Sequence, residues 1–145
     1  MNKYLIINGP NLNMLGIREP DIYGKQTYDD LCDFIAENAK KMNIHTDFFQ
    51  SNSEGEIVTQ IQKTHNSYDG LVINPGAYAH YSYAIHDAIK AVNTKTVEVH
   101  ISDISKRDEF RRISVTAPAC EAMISGKGFL GYVEALEILE NDKNR

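Results

Sequence analysis

The segment after the first apolar run of the chain concentrates polar groups with chemical potential. Residues 9–24 carry Asn11, Arg18, Glu19 and Tyr23, and a connection of this length is commonly a lid or a binding loop. Its glycines match neither the G-x-G-x-x-G pattern nor a Walker motif, which leaves a nucleotide-phosphate cradle unsupported. Taken singly, Arg18 is equally well explained as a solvated charge and Tyr23 as an apolar anchor of the loop. Chemistry is indicated only if these groups meet others from elsewhere in the chain.

Further polar groups follow two other apolar runs. Asn74 opens an Asn-Pro-Gly turn and is followed by His80, while residues 100–102 are His-Ile-Ser. Arg111 and Arg112 come next, either as a surface basic pair or as a clamp for a carboxylate. Each motif alone is ordinary, since Asn-Pro-Gly is a good turn and a lone histidine near a helix start is often a surface or capping residue. Together at one rim, their amide, imidazole, hydroxyl and guanidinium groups suit a small oxygen-rich ligand.

Alternating strand-like and helix-like segments supply the elements that must bring these groups together. Short apolar runs rich in β-branched residues predict five strands, at residues 3–8, 44–50, 70–74, 96–100 and 119–125. Apolar side chains at spacings of three and four predict helices over residues 27–42, 81–92 and 129–139. Thr27 is a plausible cap for the first, and another helix opens at Ser53 in a Ser-x-x-Glu capping-box pattern. Residues 141–145 are expected to be a frayed polar tail.

Strand and helix repeated in this order predict an α/β fold, because parallel neighbours need a crossover and the crossover is usually a helix. We expect a flavodoxin-like, doubly wound, five-stranded parallel sheet in a three-layer sandwich, with residues 1–145 as a single domain. In such sheets ligands bind outside the carboxyl ends of the strands. Asn74 and residues 100–102 lie at predicted strand ends of this kind.

Charge and composition exclude several classes of partner. The 145 residues carry 15 Lys+Arg against 20 Asp+Glu, a net charge of −5, so no basic field favours nucleic acid or an anionic membrane. No apolar stretch approaches the length of a bilayer span, and a cytoplasmic location is expected. Cys32 and Cys120 form no C-x-x-C pair and are expected as buried thiols in a reducing compartment. The five histidines show no metal-ligand spacing, and neither a metal nor a cofactor is expected.

Several separated blocks of the chain resemble one enzyme family. The chain is similar to the type II 3-dehydroquinate dehydratases at residues 8–13, 15–24, 74–80, 98–102 and 109–112. The blocks begin with Asn-Gly-Pro-Asn-Leu-Asn and end with Glu-Phe-Arg-Arg, and they occur in the family's order and spacing. The resemblance therefore covers essentially the whole chain. Ala79 and Tyr81 depart from it, since the family commonly carries threonine on both sides of the histidine at position 80.

The resemblance implies dehydration of 3-dehydroquinate to 3-dehydroshikimate by anti elimination through an enolate, in the shikimate pathway or in quinate breakdown. It implies that Tyr23 accepts the proton, that Arg18 stabilises the transition state and that His100 protonates the departing hydroxyl. Asn11 is implied at the carbonyl or at a water of the enolate stage. An ordinary phenol has a pKa of about 10, and a guanidinium beside Tyr23 would favour its phenolate.

The remaining site residues implied by the resemblance bind substrate or support the catalytic groups. The substrate-binding residues are Asn74, His80, Asp87, Ile101, Ser102 and Arg111. Ile101 and Ser102 are expected at the substrate carboxylate, and Asn74, His80 and Arg111 at ring hydroxyls. Glu19 and Glu98 are supporting residues. Glu98 and His100 are two positions apart on a strand, so their side chains are expected on one face, where the carboxylate can orient or charge the imidazole.

Assembly and the competing functions follow from the same residues. The resemblance implies trimers assembled into a dodecamer. It also implies that Asp87 completes a neighbouring subunit's site. Asp87 is expected to share a helix face with His80, seven residues earlier. The lysine imine of the type I route is not expected, because the motif positions hold no lysine. The main rival is a non-catalytic flavodoxin-like module, although residues 8–10 lack the acids of a receiver and the phosphate loop of a flavin carrier. A pure assembly component is the third alternative.

Overall fold

The computed structural model describes residues 1–17 and 25–143. Within them five parallel strands form one sheet in the order β2-β1-β3-β4-β5. The strands are β1 (Lys3–Asn8), β2 (His45–Gln50), β3 (Gly70–Asn74), β4 (Thr96–His100) and β5 (Ala122–Ser125). The longer helices between and after them are α1 (Tyr28–Lys41), α2 (Glu54–Lys63), α3 (Tyr83–Ala91) and α4 (Leu130–Lys143). The predicted flavodoxin-like α/β fold with its five-stranded parallel sheet is confirmed.

Side chains on both faces of the central strands β1, β3 and β4 are buried, apart from Lys3 at the start of β1, as their near-continuous apolar sequences predict. In β1, Tyr4 and Ile6 pack toward one face with α1 and α4, whereas Leu5 and Ile7 pack toward the other with α2 and α3. All five residues of β3 and of β4 are buried. The central strands are thereby held from both sides, and their carboxyl ends form one rigid rim.

Both predicted cap residues, Thr27 and Ser53, cap their helices, but only Thr27 forms a complete capping box. Thr27 accepts from the Asp30 N–H and the Asp30 carboxylate accepts from the Thr27 N–H, a complete capping box for α1. Ser53 caps α2 by accepting from the Glu56 N–H. The Glu56 carboxylate, however, accepts from the Ser51 hydroxyl at 2.6 Å. The reciprocal half of the predicted box at Ser53 is therefore replaced by a bond to Ser51.

The helix predicted over residues 81–92 begins later than its apolar spacing indicates. A 3-10 helix at Gly76–His80 ends first, Ser82 caps α3, and Tyr81 between them is 60% exposed. The ring of Tyr81 packs edge-on against Tyr78 rather than in the core. The predicted placement of His80 and Asp87 on one helix is consequently wrong, because the chain turns between them.

The fifth strand and the final helix also differ from their predicted limits. A 3-10 turn at Ala117–Ala119 precedes β5, because Pro118 has no N–H to donate to a sheet. The last helix continues to Lys143, which pairs with Asp69 at 3.0 Å. Residues 141–143 are thus helical where a frayed tail was expected. Across the described residues, no helix combines the length and apolarity that crossing a membrane requires.

Candidate active site

A pocket lies where β1, β3 and β4 end, as the rule for parallel sheets predicts. Because these three strands are neighbours in the sheet, residues far apart in the chain meet at one rim. Seven of the residues predicted from sequence line it, namely Asn11, Asn74, His80, His100, Ile101, Ser102 and Arg111. The same wall includes Arg107, which the sequence interpretation did not single out.

The ends of β1 and β3 approach each other so closely that only glycine fits at position 9. The Gly9 N–H donates to the Asn74 carbonyl at 2.8 Å. A Cβ at Gly9 would lie 2.4 Å from the Pro75 carbonyl oxygen and 2.6 Å from its carbon. Both are backbone atoms, which cannot move aside as a flexible side chain can. Gly9 therefore sets the distance between the loop that carries Asn11 and the turn that follows Asn74.

The carboxamide of Asn74 is oriented by partners on two sides. Its Nδ2 donates to the Tyr132 hydroxyl at 3.0 Å, and its Oδ1 accepts from the Gly76 N–H at 3.1 Å. Tyr132 is fully buried on α4, and its own hydroxyl donates to Asn8 Oδ1 at 2.6 Å. Burial raises the pKa of the Tyr132 phenol, so the hydroxyl stays protonated. Tyr132 is a site-supporting residue that sequence analysis missed, since nothing there singled it out within the helix predicted over residues 129–139.

His80 occupies the pocket as a neutral imidazole. Its Nδ1 lies 2.8 Å from the Ile113 carbonyl oxygen, and a carbonyl only accepts, so Nδ1 carries the proton. Burial lowers the pKa of His80, and the charges of His100 and Arg111 lower it further. The Nε2 atom of this tautomer is an acceptor for a hydroxyl donor. The His80 and His100 rings lie 6.3 Å apart between centroids.

His100 is paired with the carboxylate that sequence alternation placed on its face. Its Nε2 lies 2.8 Å from Glu98 Oε2, and both residues are buried. Because Glu98 also accepts from the hydroxyls of Ser114 and Thr116, its oxygens act as acceptors and His100 Nε2 donates. The imidazole is thus held by one nitrogen, and Nδ1 is the nitrogen not committed to Glu98.

The basic wall of the pocket is formed by Arg107 and Arg111 rather than by Arg111 and Arg112. Arg107 Nη1 donates to the Ser102 hydroxyl at 3.1 Å, and Arg111 lies 4.0 Å from the Asp108 carboxylate. Arg112 instead donates from Nε to the backbone carbonyl of Arg107 at 3.1 Å. Adjacent residues of an irregular loop point in different directions, so adjacency in sequence does not produce a clamp. The sequence did offer a signal for Arg107, because the connection after β4 contains this third arginine beside Arg111 and Arg112.

Among the described residues, one predicted site residue is not brought to this pocket, and three other predicted residues fall outside the described part of the chain. Asp87 is exposed on α3 and does not line it. Arg18, Glu19 and Tyr23 lie outside the described residues. The expected buried thiols differ as well, since Cys32 and Cys120 are free and only partly buried. Burial nevertheless raises the pKa of both thiols, and neither lines the pocket.

Comparison with known proteins points in one direction. A family model described as Dehydroquinase class II matches residues 2–140. A 3-dehydroquinate dehydratase of Clostridium acetobutylicum is 58% identical over 139 residues, which cover 96% of each chain. Another, of Caldicellulosiruptor saccharolyticus, is 59% identical over 141 residues, which cover 97% of each chain. The crystal structure of type II dehydroquinase from Butyrivibrio crossotus has a TM-score of 0.94 at 52% identity, covering 96% of this chain and 97% of that one.

Proposed function

The chain belongs to the class II dehydroquinase family, and from this premise we propose how its strand-end pocket performs the reaction. Its function is that of a type II 3-dehydroquinate dehydratase, a hydro-lyase of the shikimate pathway. The reaction removes a proton next to a ketone and expels a β-hydroxyl as water. Between these steps the negative charge resides on an enolate, so the site needs a base, a stabiliser of the enolate and an acid. We propose an anti elimination and assign the base, the enolate stabiliser and the acid to individual residues.

His100 is the acid that protonates the departing hydroxyl. The observation that carries this assignment is the buried pair at the pocket wall, in which His100 Nε2 donates to Glu98 at 2.8 Å. A general acid must donate from a nitrogen that faces the leaving group, and the carboxylate partner fixes which nitrogen of His100 that is. With Nε2 held by Glu98, Nδ1 delivers the proton. Imidazole suits this role because its ordinary pKa of about 6.5 lies near working pH.

Tyr23 is the base, and Arg18, which precedes it in the same loop sequence, favours the phenolate. Electrostatic support for a phenolate and for an enolate also comes from Arg107 and Arg111, whose side chains line the described part of the pocket. A guanidinium stabilises negative charge and keeps its own proton at any relevant pH. Asn11, at the end of β1, holds the enolate oxygen or the water beside it. Glu19, with Arg18 and Tyr23, completes the loop that supplies the base.

The substrate carboxylate binds at Ser102 and the backbone of Ile101, and ring hydroxyls bind to Asn74, His80 and Arg111. The contact of Arg107 Nη1 with the Ser102 hydroxyl at 3.1 Å supports this orientation, because it places a guanidinium next to the carboxylate site. The neutral His80 offers an acceptor to a hydroxyl, while the oriented Asn74 amide offers both a donor and an acceptor. A polyhydroxylated ring acid matches that set of groups.

Asp87 completes the site of a neighbouring subunit in a dodecamer of trimers. Two exposed residues support an interface on this face of α3, namely Asp87 itself and Tyr83 one turn earlier. Tyr83 is 71% exposed, and tyrosine is enriched in the contacts between protein subunits. The cytoplasm is the proposed compartment, and the free state of Cys32 and Cys120 supports it.

The test follows the enone absorbance of the product when purified protein meets 3-dehydroquinate. His100→Ala and Tyr23→Phe are each expected to lower kcat by about a hundredfold or more, because each removes a proton-transfer group. His45→Ala is the matched control. His45 is an exposed histidine paired with Asp47 at the edge strand β2, and its loss should leave kcat unchanged. Full turnover by His100→Ala would overturn the assignment of the acid.

A further inference from the structure

Glu98 is an unusually well-satisfied buried carboxylate. Its side chain is fully buried on β4, where an isolated charge would be strongly unfavourable. Three donors face it, namely His100 Nε2 at 2.8 Å, the Ser114 hydroxyl at 2.6 Å and the Thr116 hydroxyl. Thr116 is itself fully buried. These three bonds satisfy both oxygens of a carboxylate that has no access to water.

Counting protons shows where the two hydroxyls point. Ser114 Oγ accepts from the Ala117 N–H at 3.0 Å, which leaves its single proton for Glu98 Oε2. Thr116 donates its proton to the other oxygen, Oε1. The Ser114 and Thr116 oxygens are 3.1 Å apart, yet each has one proton and each proton is used on Glu98. Both hydroxyls therefore donate to Glu98, and the two bonds fix the plane of its carboxylate.

The segment that carries the two hydroxyls is fastened to the same wall of the pocket. His80 Nδ1 binds the Ile113 carbonyl at 2.8 Å, and His86 Nδ1 binds the Val115 carbonyl at 2.8 Å. The Val115 N–H donates to the Ala79 carbonyl at 2.7 Å. Backbone on both sides of Ser114 is thus held in place, on one side by His80 of the pocket wall and on the other by Ala79 and His86. These backbone contacts hold the Ser114 and Thr116 hydroxyls against Glu98, which is more than a dozen residues away in the sequence.

We propose that Ser114 and Thr116 are positioning residues of the elimination, which hold the carboxylate of Glu98 in one orientation so that His100 presents its free nitrogen to the departing hydroxyl. Neither residue touches the substrate, and both act through Glu98. The inference rests on the proposed role of His100 as the acid. It predicts an effect on the chemical step rather than on binding, because the substrate-binding groups keep their positions.

The test replaces Thr116 with an isosteric residue that lacks the hydroxyl. Thr116→Val is expected to lower kcat by about ten- to a hundredfold while leaving KM within about twofold. Thr116→Ser keeps the hydroxyl and loses a methyl group, so it is expected to retain most of kcat. A residue that matters only for packing would give the opposite order, with valine tolerated better than serine.

Thr94→Val is the matched control for the loss of a buried threonine hydroxyl. Thr94 is buried, and its hydroxyl accepts from Thr64 at 2.8 Å outside the pocket. The two valine variants are expected to lose similar stability in urea unfolding, and only Thr116→Val is expected to lose kcat. Equal loss of kcat in both variants would show a general effect of weakened folding and overturn the proposal.

The double variant shows whether Thr116 acts through Glu98. Glu98→Gln removes the carboxylate that the hydroxyl holds, so adding Thr116→Val to it should reduce kcat by less than about twofold more. Independent, multiplicative losses would contradict the proposal. If His100→Ala is inactive and Thr116→Val keeps full kcat, this inference alone fails. If His100→Ala keeps full turnover, the assignment of the acid fails, and a loss in Thr116→Val would then have another cause.

Discussion

The two histidines of the pocket differ in what their protonated nitrogens contact. His100 donates to a buried carboxylate, whereas His80 donates to the backbone carbonyl of Ile113. Burial and the positive charges nearby lower the pKa of His80 from its ordinary value of 6.5. The same ring type is thus assigned two roles in one pocket, an acid at His100 and an acceptor at His80, because the two rings have different hydrogen-bond partners.

A pH-dependent loss of stability follows at this residue. In the unfolded chain His80 has its ordinary pKa of 6.5 and in the folded chain a lower one, so between the two values the unfolded state binds more protons. The free energy of unfolding should therefore fall as pH decreases from above 6.5 through the folded pKa. Urea unfolding of the unmodified protein and of His80→Asn at a series of pH values measures the difference. We expect a shallower decline in His80→Asn, and identical slopes would contradict the lowered pKa.

Some single-residue roles are visible in the sequence and others are not. The Glu98–His100 pair is predictable because alternation along one strand is a local property. Arg107, Thr116 and Tyr132 reach the site from other elements, and only packing places them there. The roles assigned to Arg18 and Tyr23 stay predictions, since both residues lie outside the described part of the chain.

The elements act on the site through the spacing of the strand ends. At the ends of β1 and β3, the Gly9 N–H bonds to the Asn74 carbonyl and leaves no space for a Cβ. The sheet order that makes these strands neighbours is a tertiary property, because β3 is separated from β1 in sequence by β2. A substitution at this contact should therefore displace Asn11 and Asn74 together.

Gly9→Ala is expected to lower kcat/KM by at least about tenfold. The new Cβ would contact backbone at 2.4 Å, so the two strand ends must separate and Asn11 and Asn74 move apart. Steady-state kinetics and urea unfolding measure the effects on activity and stability. Gly55→Ala in α2 is the control, because its Cβ would meet only the Ser53 hydroxyl oxygen at 3.9 Å. That variant should keep full activity and gain up to about 1 kcal/mol of stability, and equal activity in both variants would refute the role of the contact.

At the scale of the whole molecule, the position of Asp87 on an exposed face raises the question of assembly. The pocket of one chain does not include Asp87, although the family resemblance implies it as a substrate-binding residue. The proposed contribution of Asp87 to a neighbouring subunit's site accounts for both its position outside this pocket and its implied role in substrate binding. The single-domain organisation over residues 1–145 stays a prediction of the same kind.

Co-expression of two inactive variants tests that contribution. A subunit with Asp87→Ala keeps its own His100, and a neighbour with His100→Ala supplies an intact Asp87, so mixed assemblies regain complete sites. With equal amounts and random mixing, half the subunits keep His100 and half of these have a suitable neighbour, which gives about a quarter of normal activity. Each variant alone should be nearly inactive. Activity of the mixture no higher than that of the two variants measured separately would contradict shared sites.

Patterns in the chain were sufficient to predict the five strands, the α/β class and half of the described residues that line the pocket. Periodicity, caps and strand-end motifs are properties of neighbouring residues, so they can be read without a structure. Where competing local signals met, as between His80 and Ser82, periodicity alone misplaced the helix start. Packing determined the sheet order, the partners of Asn74 and the hydroxyls at Glu98. These depend on distances between segments far apart in the chain, which arise only when both faces of the sheet are covered.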